Sequence, residues 1–177
     1  SLSQPLLPDS IIQLTLKELT NCNGIKEQRS FVIKTGLASP ATKRTVVLNE
    51  VLFNPRSGGE EFVECLNNGK KIIALSDLRI AIRNSGGQLG SSYKLAVDPI
   101  ALLPGEQMAF SRDTHALHRE YLIPASAILQ KTNPFITLPN EEGRIVLMNT
   151  QGEILDELYY KESWHFELLQ QKQGVSL

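Results

Sequence analysis

The chain has 177 residues, 41% of them hydrophobic and 21% charged, with a net charge of −1, the make-up of a soluble globular protein. Residues 1–45 carry six Lys/Arg against three Asp/Glu, and residues 46–177 twelve against sixteen, so the larger part is mildly acidic and a poor partner for a phosphate backbone, which needs clustered cations. No apolar run approaches the roughly 18 to 20 residues that span a bilayer, and two cysteines, Cys22 and Cys65, are too few for a disulfide scaffold.

Residues 1–10 hold two prolines and read as an extended lead-in. Ile12, Leu14 and Leu16 then alternate with Gln13, Thr15 and Lys17, the period of a half-buried strand. Asn21-Cys22-Asn23-Gly24 turns the chain, and Ser30 to Lys34 forms a second strand. A lone two-stranded hairpin is barely stable in water, so residues 1–35 are expected to lean on a neighbour, to pair with a second copy in a dimer, or to be the remnant of a preceding β domain. Residues 36–44, rich in Gly, Pro and small side chains, read as a linker. The start at Ser1 without a basic and apolar leader is read as a signal peptide absent or already removed, and the stop after Gly174-Val175-Ser176-Leu177 as the end of a fragment of something longer.

From Thr45 the strands succeed one another. Thr45 to Leu66 holds two β-rich runs around Asn54-Pro55 and Gly58-Gly59, the pattern of neighbouring strands joined by a turn. Leu78 to Arg83 alternates as an edge-like strand with basic residues outward. Further strands are expected at Tyr93–Val97, Gln107–Ser111, Pro134–Leu138, Gly143–Met148 and Glu153–Tyr160. Between Asp113 and Tyr121 the pattern becomes helical, with Thr114 as the expected N-cap. The spacing predicts an all-β antiparallel sandwich with one short helix.

Three groups of side chains could carry function. Glu50 and Glu64, with Glu60 and Glu61, sit on runs that are expected to be neighbours. Such a cluster suits calcium or, as paired carboxylates, the acid-base work of a metal-dependent hydrolase. The plainer reading is that each carboxylate accepts backbone N–H bonds or pairs with an arginine such as Arg79 or Arg83. His115 and His118 fall on one side of the short helix, where zinc would need two more ligands and the plainer reading is a solvated face. Trp164 and His165, with Phe166 after Tyr159 and Tyr160, form either a lid on the core or a contact patch for protein or glycan. Cys22 lies in a turn and Cys65 in a strand, which favours separate thiols over a pair. No cofactor fingerprint and no G-x-S-x-G nucleophile motif is found.

Several of these runs, taken in order, resemble the lamin-tail domain family. They are Val47-Leu48-Asn49-Glu50-Val51, Gly58-Gly59-Glu60-Glu61-Phe62-Val63-Glu64, Ala74-Leu75-Ser76-Asp77-Leu78, Leu102-Leu103-Pro104-Gly105-Glu106, Leu138-Pro139-Asn140-Glu141-Glu142-Gly143 and Gln151-Gly152-Glu153-Ile154-Leu155-Asp156. Trp164-His165-Phe166 and Gly174-Val175-Ser176-Leu177 close the likeness, which covers residues 45–177. Leu78, where the family often has an aromatic, and Cys65, where Leu is usual, depart from it. The resemblance implies an immunoglobulin-like sandwich. Residues 1–35 lack the heptads of a lamin rod, so the resemblance implies the bacterial setting, a binding or architectural module in an exported or cell-envelope multidomain protein. There the hairpin looks similar to the last strands of an immunoglobulin-like domain.

Overall fold

The computed structural model describes Leu7, residues 10–27 and residues 30–177. Alternating apolar and polar residues build β3 (Val46–Leu52) and β4 (Phe62–Asn67), which pair antiparallel as expected. With β9 (Gln107–Ser111) and β10 (Leu129–Lys131) they form a first sheet in the order β10-β9-β4-β3. A second sheet has the order β12-β11-β6-β7, from β12 (Ile154–Lys161), β11 (Glu142–Asn149), β6 (Leu78–Ile82) and β7 (Tyr93–Lys94). Two-residue strands β5 (Ile73–Ala74) and β8 (Ala101–Leu102) pair with each other, and the single α-helix among the described residues is α1 (Thr114–Glu120). The protein is therefore mainly β, and none of its described helices is long and apolar enough to cross a membrane.

The period of two sorts side chains between the faces of each sheet. Val51, Phe53, Val63, Cys65, Met108 and Phe110 from the first sheet meet Leu78, Ile80, Ile145, Leu147 and Leu155 from the second in one buried core. Each fully buried large side chain there contributes about 1.5–3 kcal/mol. Phe53 stacks on Tyr160 with ring centroids 4.6 Å apart, and the Tyr160 hydroxyl donates to the Pro139 carbonyl at 2.9 Å. Gly143 lies opposite Tyr160 in the ladder, and any Cβ at that position would collide with the phenol ring.

One irregularity, in β3, decides which side chains reach the outer face of the first sheet. Val46 and Leu48 face the core, yet so do Val51 and Phe53, an odd step away. The register of β3 on β4 shifts between Leu48 and Glu50, leaving Asn49 as an extra residue. This β-bulge reverses the parity of the strand beyond it. Glu50 consequently faces outward, where an unbroken strand would turn it into the core.

Several expectations need correction. Pro134–Leu138 is not a strand: Phe135, Ile136 and Leu138 are buried in the core as irregular chain after a cis Asn133–Pro134 bond. The ladder position is taken instead by β10, which runs parallel to β9. β6 is not an edge, since β11 and β7 flank it. The Tyr93–Val97 strand shortens to Tyr93–Lys94. Asp113, not Thr114, caps α1, its side chain accepting from the His115 N–H at 2.9 Å.

β1 (Ile11–Leu16) and β2 (Phe31–Gly36) pair antiparallel, and all but three of their residues are exposed. The segment 37–44 is fastened to the main body: Ala41 is buried in the core, the Ser39 N–H donates to the Ile72 carbonyl and the Arg44 N–H to that of Leu155.

Candidate functional site

The bulge at Asn49 brings Glu50 directly opposite Glu64 on the outer face of the first sheet. Glu64 is itself opposite Ala109 on β9, and Ala109 opposite Leu129 on β10. Partners in a ladder share a face, so Glu50, Glu64, Ala109 and Leu129 form one row across all four strands, acidic at one end and apolar at the other. Leu52 and Phe62, the next opposed pair, lie beside it.

This row floors a groove of about 660 Å³, within the 300–1,000 Å³ typical of ligand pockets. One wall is the segment between α1 and β10, with Leu117, Tyr121 and Ile128; the other is Gly174 to Ser176 beside β3. The second wall is held by reciprocal Val51–Leu177 backbone bonds of 2.9 Å and by the Gly174 N–H on the Asn54 carbonyl. Gly174 has φ +77°, a left-handed conformation that glycine adopts without strain. Glu106, from the turn before β9, adds a third carboxylate.

Among the described residues, no Lys, Arg or His lines the groove. The hydrogen-bond donors on its carboxylates are, among the same residues, neutral: the Ser176 hydroxyl to Glu50, the Asn49 amide to Glu64 at 2.7 Å and the Leu103 N–H to Glu106 at 2.9 Å. Like charges directly opposite across a ladder are destabilising, so Glu50 and Glu64 stand in mutual repulsion. The Tyr121 hydroxyl oxygen, also in the groove wall, is buried without a hydrogen-bond partner. Burial raises the Tyr121 phenol above its ordinary range, opposed by Arg56 and reinforced by Glu120.

Glu61 is not part of this site. It precedes Glu64 by three residues, and an odd step along a strand reaches the opposite face. Its carboxylate is buried, accepting from Arg112 at 2.8 Å and from the Leu138 N–H at 3.2 Å. Burial raises the Glu61 carboxyl above the usual carboxylate range, and the Leu138 N–H and Arg112 pull against it. Glu60 lies 3.7 Å from Arg112. The expected arginine partners are engaged elsewhere: Arg79 donates to Ser92, and Arg83 pairs with Glu157 at 2.8 Å.

The outer face of the second sheet is differently arranged. Arg144 joins Arg83 on Glu157 at 3.6 Å, and Glu142 accepts from Lys161 at 3.0 Å and from the Tyr159 hydroxyl at 2.7 Å. Those bonds, first Tyr159 and then Lys161, hold Glu142 below the usual carboxylate range; with Tyr159 and Glu142 beside it, Lys161 rises to about 12.

Trp164 and His165 part company. Trp164 is 55% exposed, its ring edge-on to Tyr159 at 5.8 Å. His165 is buried, packed on Phe53, with Nδ1 3.0 Å from the Glu162 carbonyl and Nε2 2.9 Å from that of Val175. Both its nitrogens are engaged by the chain's own backbone, so it pins the segment around Glu162 to Val175. His115 and His118 are exposed on α1. Among the described residues, no three or more His, Cys, Asp and Glu side chains gather as metal ligands. Cys22 and Cys65 are separate thiols, and burial, then Glu64 and Asp156, push the Cys65 thiol upward.

Of the residues singled out from sequence, Glu50 and Glu64 come together; Glu61, Trp164 and His165 lie apart from them. Of the groove's other residues, Leu117, Tyr121 and Leu129 carry no motif, and Glu106 stood only as the end of the Leu102-to-Glu106 run. The one available signal was the odd Glu61-to-Glu64 spacing. Comparison of the sequence with protein-family models finds no match. Nor does any curated protein match it.

Proposed function

We propose that the chain is a non-catalytic binding or architectural module of an exported or cell-envelope multidomain protein, built as an immunoglobulin-like sandwich of the lamin-tail type. Two four-stranded sheets sharing one core support the sandwich, and the ordered runs from Val47 to Leu177 support the family. Fold alone does not supply function. The binding role is carried by the groove on the first sheet, a concave apolar floor with carboxylates along one end. Trp164 beside Tyr159 offers a second surface for a protein or glycan.

The test is an array of glycans and peptides probed with the whole chain, repeated with Leu129→Asp to place a charge on the groove floor. Capture that the variant loses supports the reading. A chain that captures nothing, or captures equally with the variant, refutes the groove as its binding surface.

A further inference from the structure

We propose that the groove receives an extended polypeptide segment in which a lysine or arginine stands two residues from an apolar residue, so that both side chains fall on one face, the cation over Glu50 and Glu64 and the apolar side chain over Ala109 and Leu129. Such a partner presupposes the binding role proposed above and gives it a chemistry.

Charge complementarity comes first. The row has a sense: two opposed carboxylates on β3 and β4, then only Ala109 and Leu129 on β9 and β10. Neutral groups alone donate to these carboxylates among the described residues, and Arg56, whose side chain lies against Gly174 in the wall, is not among their donors. A cation between them converts a repulsive ladder position into two charge-assisted contacts. An anionic or wholly apolar ligand leaves the repulsion in place.

Length and polarity favour a peptide. Four strands at about 4.8 Å per spacing make the row about 14 Å long, which is about four residues of extended chain. The lining also holds Gln107 and Ser126; an extended backbone supplies donors and acceptors for such groups, whereas the alkyl tail of a simple amine supplies neither.

The test is fluorescence anisotropy of the whole chain with labelled Leu-Ser-Lys-Ser, against Leu-Ser-Glu-Ser, octylamine and calcium chloride as competitors. The lysine peptide is expected to bind at least about tenfold tighter than its glutamate counterpart, to weaken with rising salt, and to lose about tenfold with Glu50→Gln/Glu64→Gln but nothing with Glu141→Gln. Glu50→Lys/Glu64→Lys should reverse the preference toward the glutamate peptide, an outcome that poor folding cannot imitate. Equal binding of the two peptides, or displacement by octylamine or calcium as strongly as by unlabelled peptide, overturns the proposal. Array capture that is lost in Leu129→Asp but unchanged in Glu50→Gln/Glu64→Gln sinks this proposal and leaves the binding role standing. A chain that captures nothing on any array sinks both.

Discussion

The outer faces of the two sheets hold similar charged residues and use them in opposite ways. On the second sheet Glu157 is shared by Arg83 and Arg144, and Glu142 by Lys161 and Tyr159, so each carboxylate has its donors in place. On the first, Glu50 and Glu64 oppose each other above an apolar floor and meet only neutral donors among the described residues. On the paired face cations answer the carboxylates, whereas on the other neutral donors do. A carboxylate's role thus depends on which side of a strand it occupies and what that side already contains.

Deleting Asn49 should break the contrast most severely. Without the bulge, either Val46 and Leu48 or Val51 and Phe53 must turn out of the core, and Glu50 can be driven in. We expect a loss of more than about 3 kcal/mol in urea unfolding; a deletion that keeps full stability would show that the bulge does not set the parity.

The next effect concerns Glu61, a paired carboxylate on the inner side of the first sheet. Arg112→Met should cost about 2 kcal/mol near neutral pH, because it leaves a buried carboxylate without its cation. The sign with pH is fixed by the direction of the shift. Glu61 is already raised by burial, and losing Arg112 raises it further. A carboxyl raised in the fold takes up a proton more readily there than in the unfolded chain, so stability falls as pH climbs from its unfolded to its folded value. The deficit should therefore be small in acid, open between the folded value in the wild type and the higher folded value in the variant, and stay complete above it, as thermal melts across pH would show.

Smaller and opposite effects should separate the two outer faces directly. Glu157→Gln should destabilise by about 1 kcal/mol, less at high salt, since the half-buried Arg83 and the exposed Arg144 lose a shared partner. Glu50→Gln should stabilise the free chain by about 0.5 kcal/mol through relief of the opposed charges, its amide oxygen still accepting from Ser176. Should calorimetry show both substitutions lowering Tm alike, the distinction between the faces fails.

Much of the fold was legible because alternation is a direct record of which face is buried. β1 and β6 announced themselves by it, β3, β4, β9, β11 and β12 as β-rich runs between turn residues, and α1 by its change of period. Pro134–Leu138 misled because an apolar run buried as irregular chain has the same composition as a buried strand. β10, only Leu-Gln-Lys, is too short to show a period at all. The pairing of Glu50 with Glu64 followed from their neighbouring strands. Their shared outward face did not, since it depends on an extra residue whose presence only the ladder reveals. Leu117, Tyr121 and Leu129 converge through a parallel crossover that no local pattern encodes.

That crossover bears on timing. Because β10 runs parallel to β9, the stretch carrying α1 and Tyr121 is tethered to the floor at both ends, at Ser111 and again at Leu129. The wall cannot swing away like a hinged flap. Moving that wall means fraying a three-residue ladder, so the amides of Ala109 and Thr132, bonded to the Ile128 and Ser111 carbonyls, should exchange with deuterium no faster than the wall opens.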